Sequence, residues 1–198
     1  MKSPRAIETR YKGYRFRSRL EARWAVFFDV LGIRWEYEPD GYVIGGTPYL
    51  PDFKLLHPNE EETFAEVKGG NVDMFEGDHV RLCRGLANLT GHPVILLTGE
   101  PALRLFNCVA PGMDERSFWA VFFDDYTPKR YRIADDYWFQ QTEFCKYTGA
   151  QVFGHHLRNE RSARKTFGLN VLNAIASARA ARFEHGESPT EVHLPRRE

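Results

Sequence analysis

A five-residue segment constrains the fold of this chain more than any other. Residues 93–97 (PVILL) contain no polar side chain. A strand with one face in water alternates apolar and polar residues, whereas an uninterrupted apolar strand is typical of burial on both faces. Such burial requires a layer on each side of the sheet, and helices provide those layers in α/β proteins. The segment therefore predicts an α/β fold.

Local signals place helices and strands around that segment. Ser18 and Glu21 have the spacing of a capping box, apolar residues follow at helical spacing, and Gly32 stands where a C-cap glycine belongs. A second amphipathic stretch covers residues 78–90. Strands are predicted at 33–38, 49–55 and 63–68, with a short one at 42–44. Together with 93–97, these elements give an α-β-β-β-α-β core with a mixed central sheet.

The pattern weakens beyond residue 100. Further strands are predicted at 102–109 and 117–123, and a terminal helix at 159–183. We therefore expect a C-terminal extension that ends in a helix, followed by a frayed tail. The predicted units are a core over 1–110, an extension over 111–184 and a tail over 185–198.

Basic residues are concentrated near both ends of a chain whose formal net charge is zero. Residues 1–23 carry eight Lys or Arg against two Glu, and residues 158–182 carry six against one. Two basic segments around an acidic middle favour a polyanionic partner such as nucleic acid. Solvated basic faces are the structural alternative.

Composition narrows the location of the protein. No apolar run in the sequence approaches the roughly 18 residues of a membrane span, so no membrane partner is expected. The first residues lack the apolar region of a secretory signal peptide. Three cysteines without CxxC spacing favour a reducing compartment. We therefore expect a cytoplasmic protein.

Asp52, Glu66 and Lys68 are the residues to which we assign chemistry. Strand alternation puts Asp52 on one face of the strand predicted at 49–55, and puts Glu66 and Lys68 on one face of the strand at 63–68. If the two strands are neighbours, the three side chains converge. Two carboxylates can hold Mg²⁺ through oxygen ligands, and the lysine adds a positive charge. Those features meet the requirements for hydrolysing a phosphodiester.

These residues resemble a known signature. Pro51-Asp52, a gap of 13 residues and then Glu66-Val67-Lys68 resemble the motif of the PD-(D/E)XK nuclease superfamily. Residues 17–25 resemble the helix that supplies an additional acidic residue in many of its members. In their order, these segments are similar to TnsA-like transposon endonucleases and to small phage-encoded endonucleases.

The resemblance implies a restriction-endonuclease-like fold and a role for each matching residue. Asp52 and Glu66 would be the Mg²⁺ ligands, assisted by the carbonyl of Val67, with Mn²⁺ able to substitute. Lys68 would lie beside the scissile phosphate. Glu21 would either bind a second metal ion or orient a water molecule.

The preferred hypothesis is a Mg²⁺-dependent endonuclease that cuts DNA with structure-selective or weak sequence preference, and that is of phage or mobile-element origin. A phage-encoded enzyme would act in the cytoplasm of its bacterial host. Basic residues of both ends are expected to contact backbone phosphates. These residues are Arg17, Arg19, Arg23, Arg158, Arg161, Arg164 and Lys165.

Several alternatives stay open at the level of function. RNA is the alternative substrate, and a homodimer or a partner subunit is the alternative to a lone chain. A non-catalytic nucleic-acid-binding or phage anti-defence interaction protein on the same fold is the alternative function. The aromatic and basic residues of 126–139 either stack on bases or form a core.

Individual site residues also have structural explanations. The capping box alone accounts for Glu21. Glu66 and Lys68 could instead lie on a solvated strand face and pair with Lys54 or Glu62.

Overall fold

The structure, a computed structural model, describes residues 8–57, 61–69, 77–114, 119–123, 131–133, 142–144, 151–153 and 169–183. Its helices are α1 (Arg19–Leu31), α2 (Asp78–Thr90) and α3 (Leu169–Ala180). Its strands are β1 (Thr9–Tyr11), β2 (Tyr14–Phe16), β3 (Arg34–Tyr37), β4 (Tyr42–Ile44), β5 (Thr47–Tyr49), β6 (Phe53–Leu56), β7 (Glu62–Lys68), β8 (Val94–Thr98), β9 (Phe106–Val109), β10 (Trp119–Phe123), β11 (Tyr131–Ile133), β12 (Thr142–Phe144) and β13 (Gln151–Phe153).

Seven strands form one mixed sheet in the order β11-β10-β9-β8-β7-β6-β3. Only β7 and β8 pair in parallel, and all the other neighbours in this sheet are antiparallel. A parallel pair needs a crossover, and α2 supplies it between β7 and β8. The predicted α/β class, with its mixed sheet and a helix near the C-terminus, is therefore confirmed.

The continuous apolar strand is buried on both faces, as its sequence predicts. Ile95 and Leu97 of β8 join the core that contains the apolar residues of α1. Val94 and Leu96 join a second core on the opposite face, beneath α2. The alternation of a strand thus divides one apolar run between two hydrophobic layers.

Local sequence signals fix the first helix. Ser18 is its N-cap, and its Oγ accepts a hydrogen bond from the backbone N–H of Glu21 at 3.2 Å. Gly32 ends the helix with φ of 69°, a left-handed conformation that glycine adopts without strain. Trp24 and Phe28 of the apolar stripe are fully buried against the sheet. The prediction of this helix is confirmed.

The other two helices also cover the sheet or pack on a neighbour. The predicted boundaries of α2, 78–90, are confirmed, and Cys83 and Leu86 are buried on its inner face. Leu89, near the end of the same helix, is exposed. Helix α3 packs against α1 through small residues, which allow the two helices a close approach: Ala174 and Ala178 are both fully buried.

The prediction of one strand over 49–55 is wrong, because the chain forms two strands there. β5 pairs with β4 in a separate hairpin, whereas β6 pairs with β3 and β7 in the main sheet. Pro51 lies in the break between them, and a proline cannot donate a hydrogen bond to a strand ladder. Asp52 therefore immediately precedes β6 rather than lying within a strand.

Several other predictions differ from the structure at their boundaries or lie outside it. The terminal helix, predicted to reach residue 183, ends at Ala180. The β1–β2 hairpin and the strands β11 to β13 were not predicted. The start of the terminal helix at 159–168 and the tail at 185–198 lie outside the described residues.

The proposed division of the chain at residue 110 stays a prediction. Strands β10 and β11, which follow that point, add to the same sheet through β9. Among the helices that the structure describes, none combines the length and the apolarity that a membrane crossing requires.

Gly85 of α2 provides a test of how the β4–β5 hairpin is held. Alanine in a helix interior is normally favoured over glycine by about 1 kcal/mol. A Cβ at residue 85 would lie 2.0 Å from Cγ2 of Ile44 in β4, however. We expect Gly85→Ala to lower the free energy of unfolding by ~1–3 kcal/mol, as overpacked cores do. Urea unfolding measures this change.

The Ile44→Ala background supplies the control, because it removes the Cγ2 atom that the new Cβ would meet. Gly85→Ala should then cost little or become stabilising, so the two substitutions should show a coupling energy. An equal cost in both backgrounds would show that the hairpin does not pack on α2 at this point.

Candidate active site

Strand β7 extends beyond its last pairing with β6. Asp52, the residue immediately before β6, lies beside this extension. The last register pair between these strands joins Phe53 to Ala65, so residues 66–68 extend beyond it. The side chain of Asp52 turns into this gap, where its Oδ2 accepts a hydrogen bond from the backbone N–H of Val67 at 2.7 Å. Asp52 is only 3% exposed. It thus replaces the next backbone partner of β7 with a carboxylate.

The same register orients the carbonyl of Val67. Successive residues of a strand direct their backbone groups to opposite sides. The N–H of Val67 faces Asp52, and the carbonyl of Lys68 faces β8, where it accepts a hydrogen bond from Gly99 N–H at 2.7 Å. The carbonyl of Val67 therefore projects toward the side on which Asp52 lies.

Glu66 is held by a tyrosine and a lysine. Its Oε2 accepts a hydrogen bond from the hydroxyl of Tyr49 at 2.7 Å, and its Oε1 lies 2.5 Å from Nζ of Lys68. Burial raises the pKa of the Tyr49 hydroxyl, and the neighbouring Cys83 thiol and the charge of Glu66 raise it further. The hydroxyl therefore stays protonated and donates. Glu66 itself is 4% exposed. Its carboxylate orientation is therefore fixed by the β5 strand and by its own strand.

The charges of the site interact strongly. Burial, and then the charge of Glu66 with a further contribution from Glu21, raises the pKa of Asp52 to about 7, although the Val67 N–H lowers it. Burial alone would lower the pKa of Lys68, but the charge of Glu66 and their hydrogen bond raise it above its ordinary value. The site therefore combines a stable ammonium group with carboxylates that repel each other.

Arg17 forms an ion pair with the second carboxylate oxygen of Asp52. Its Nη2 lies 2.5 Å from Oδ1 of Asp52, and its Nε lies 2.7 Å from Oε1 of Glu38. The side chain of Arg17 is 55% exposed, whereas that of Asp52 is almost fully buried. An exposed arginine thus pairs with a buried carboxyl group. The sequence indicated Arg17 as a phosphate contact and gave no sign of this pairing.

Glu21 stabilises the entrance to α1. Its Oε1 accepts from Ser18 Oγ at 2.7 Å, and its Oε2 accepts from Tyr37 Oη at 2.6 Å and from the backbone N–H of Arg17 at 3.1 Å. These contacts account for the conformation of Glu21 without a ligand. Its charge nevertheless contributes to the raised pKa of Asp52, so its assignment to catalysis stays a prediction.

The donor set suits a hard cation with few protein ligands. Across the part of the chain that the structure describes, no group of three or more His, Cys, Asp and Glu side chains could surround a metal ion. Asp52, Glu66 and the carbonyl of Val67 offer oxygen atoms only. Mg²⁺ is commonly bound in proteins through one or two carboxylates while it keeps several waters. The residues therefore fit Mg²⁺ with a hydrated coordination sphere, and they do not offer the nitrogen or sulfur donors typical of zinc.

The remaining site predictions have different outcomes. The alternative in which Glu66 and Lys68 lie on a solvated face and pair with Lys54 or Glu62 is wrong, because Glu66 is buried and pairs with Lys68. Lys54 pairs instead with Glu36 and Glu62, at 3.6 Å each. Arg23 contacts Glu100, and Arg19 is partly buried on α1. Four predicted phosphate contacts lie outside the described residues: Arg158, Arg161, Arg164 and Lys165. The aromatic and basic segment at 126–139 is described only for the backbone of β11.

Sequence reasoning missed two positioning residues, Tyr49 and Tyr37. Tyr49 stands three residues before Asp52, and that proximity was the only available signal. Tyr37 is linked to Glu21 and to the Arg17 backbone only through the packing of β3 beside the start of α1.

Comparisons of the chain with protein-family models, with curated proteins and with solved structures find no match. The chemistry of the site therefore rests on its own geometry.

The raised pKa of Asp52 predicts how stability depends on pH in metal-free buffer. The pKa rises from an ordinary value of 3.8 to about 7 in the folded protein, so between these values the folded state binds more protons than the unfolded state. Stability contributed by this group therefore falls as the pH rises. The free energy of unfolding of the wild type, relative to Asp52→Asn, should decline from about pH 4 to about pH 7. Its slope should not exceed ~1.4 kcal/mol per pH unit, the value for one proton.

Urea unfolding of both proteins in EDTA, at unit steps of pH, measures this difference. A difference that rises with pH over this interval would mean that Asp52 is stabilised as an anion by Arg17 and Val67, and would contradict the raised pKa.

Proposed function

We propose that this chain is a Mg²⁺-dependent endonuclease that hydrolyses phosphodiester bonds of DNA, with Mn²⁺ able to replace Mg²⁺. The observation that carries the proposal is the meeting of Asp52, Glu66 and Lys68 at the end of β7. This arrangement is the one expected from the resemblance to PD-(D/E)XK nucleases. Structure-selective or weakly sequence-specific cutting and a phage or mobile-element origin belong to the same proposal.

The cost of the arrangement supports a functional reading. Asp52 and Glu66 are buried close enough for the charge of Glu66 to raise the pKa of Asp52, and such a pair destabilises a fold. Neutral side chains would pack at these positions at a lower cost in free energy. A strongly shifted pKa beside a specific charged partner is a feature of functional sites. Asp52 has such a shifted pKa, and Glu66 is its charged partner.

Each residue has a defined task in the proposed reaction. Asp52, Glu66 and the Val67 carbonyl would hold Mg²⁺, which when bound polarises a phosphate and lowers the pKa of a water. The backbone N–H of Val67 orients Asp52. The hydroxyl of Tyr49 fixes one oxygen of Glu66.

Lys68 would supply the charge that the transition state requires. Its ammonium group stays protonated because Glu66 is adjacent, and its side chain is one-third exposed at the strand end. A phosphate that approaches this edge gains a positive charge beside the oxygens on which negative charge develops. Lys68 thus stabilises charge and does not need to act as a base.

A second candidate function is favoured by one observation. Arg17 and Lys68 already neutralise the two carboxylates from within the chain. A non-catalytic nucleic-acid-binding or phage anti-defence interaction protein would need no metal ion, and these ion pairs would then be permanent.

Cleavage assays separate these candidates. Purified protein is incubated with supercoiled, linear, single-stranded and branched DNA, and with RNA, in Mg²⁺, Mn²⁺ or EDTA. We expect metal-dependent cleavage of DNA that Asp52→Asn abolishes and that Lys68→Gln reduces by about 10²–10³-fold, as for the loss of one charge-stabilising group.

Lys54→Gln is the matched control for Lys68→Gln. Lys54 lies on the adjacent strand β6 and pairs with Glu36 and Glu62, so the same charge is removed outside the site. Its cleavage rate should stay near that of the wild type. Absence of cleavage by folded wild-type protein, or equal losses in the two lysine variants, would reject the nuclease in favour of the binding protein.

Arg17 predicts a measurable competition with the metal ion. Its guanidinium lies on the Asp52 oxygen that a cation would use, and a charge-assisted hydrogen bond must be broken to free that oxygen. Arg17→Gln should therefore bind Mn²⁺ about 5- to 10-fold more tightly than the wild type, as measured by isothermal titration calorimetry. Arg15→Gln, which removes an exposed arginine paired with Glu8, should leave the affinity unchanged. Weaker binding by Arg17→Gln would mean that Arg17 supports the metal site.

A further inference from the structure

Three arginines from three separate segments meet around Glu100, two residues after β8. Arg23 of α1 contacts its carboxylate, and Nε of Arg179 in α3 lies 3.6 Å from Oε2. Arg104, in the loop before β9, donates a hydrogen bond to its backbone carbonyl. No sequence pattern joins these residues, because only the packing of α1 and α3 beside the sheet brings them together.

The cluster is built into the fold and is not a chance meeting of surface side chains. Arg104 is 6% exposed. It lies against the backbone of Gly99, whose φ is +68° and where a Cβ would come within 3.0 Å of the guanidinium. The indole N–H of Trp24 holds this loop by donating to the Gly99 carbonyl at 2.9 Å. The buried Nε of Arg23 has no hydrogen-bond partner within the described ranges.

The charges and the exposures in this cluster indicate an anionic ligand. The guanidinium groups of Arg23 and Arg179 face the one carboxylate of Glu100, so these three side chains carry an excess of one positive charge. Arginines bind phosphate oxygens through paired N–H donors, and phosphate offers more acceptors than a carboxylate does. Glu100 is 43% exposed at its side chain, more than Arg23 and far more than Arg104, and can leave toward solvent.

The cluster lies beside the candidate active site. Gly99 N–H donates to the carbonyl of Lys68 at 2.7 Å, and Thr98 is the register partner of Lys68. Lys68 and the loop that carries Glu100 therefore lie at the same end of β7 and β8, and a nucleic acid strand that crosses this end of the sheet would pass both.

We propose that Arg23 and Arg179 form a phosphate-binding subsite for the substrate strand, beside a loop that Arg104 fixes, and that the carboxylate of Glu100 occupies this subsite until nucleic acid displaces it. This inference rests on the proposed function, because it names a phosphate of that substrate as the ligand. It adds Arg179 to the binding surface and gives Glu100 the role of an internal competitor.

Fluorescence anisotropy with a labelled 20-base-pair DNA duplex in EDTA tests the subsite without any metal ion. Glu100→Gln should bind the duplex about fivefold more tightly than the wild type, with a salt dependence steeper by about one unit, because one more phosphate contact becomes available. Arg179→Gln should bind more weakly and with a salt dependence shallower by about one unit. Arg179 is 59% exposed, so this substitution leaves the buried part of the cluster in place.

Glu8→Gln and Arg15→Gln are the matched controls. These two residues form an exposed ion pair before α1, so the same charges are changed away from the cluster. If Glu100→Gln and Arg179→Gln shift affinity no more than these controls, the cluster only ties α3 to α1 and the inference is overturned. No binding of the duplex by any of the proteins would overturn it as well.

Failure of the subsite and failure of the nuclease remain distinguishable. Cleavage that depends on Asp52, together with duplex affinities that match the controls, would reject the subsite alone. Tighter binding by Glu100→Gln without any cleavage would support the subsite and assign it to the non-catalytic binding protein.

Discussion

The hydrogen bond from the backbone N–H of Val67 to Asp52 is the contact on which the site depends. Strand β7 outlasts β6, so a backbone donor at its end would otherwise lack its ladder partner. A carboxylate satisfies that donor and is thereby carried into the interior, next to Glu66. The same arrangement turns the Val67 carbonyl toward Asp52. One unequal pair of strands thus generates two carboxylates and a carbonyl at a common edge.

Burial of these carboxylates requires cations, and the chain supplies its own. Lys68 neutralises Glu66 from the same strand, and Arg17 neutralises Asp52 from the segment before α1. The contacts of Glu21 with Ser18 and Tyr37 hold that segment in place, which gives this acidic residue of the helix a structural role beside the site. In the proposed function, the ion pair of Arg17 with Asp52 therefore stabilises the metal-free fold and opposes the binding of a metal ion.

Features that depend on local signals could be predicted from the sequence. The capping residues Ser18 and Gly32 set the ends of α1, and the apolar run of β8 required two covered faces. The sequence predicted that Asp52 and Glu66 lie close together because it placed them on neighbouring strands. That prediction assumed a continuous strand over 49–55, whereas Asp52 in fact lies in the break beside Pro51. The β4–β5 hairpin before that break packs on Gly85 of α2, a tertiary contact that no local pattern encodes. Arg104 and Arg179 were missed for the same reason.

In the proposed function, two acid–arginine pairs lie on either side of Lys68, Arg17 with Asp52 and Arg23 with Glu100. In each pair the arginine would exchange its carboxylate partner for a phosphate of the substrate. A substrate strand that draws Arg17 away returns the full charge to Asp52, and Asp52 then binds a cation more tightly. Linkage makes the coupling reciprocal, so a bound cation must favour the substrate strand by the same factor. Exchange of ion pairs alone would then couple nucleic acid and Mg²⁺, while the buried carboxylates stay neutralised whenever both are absent.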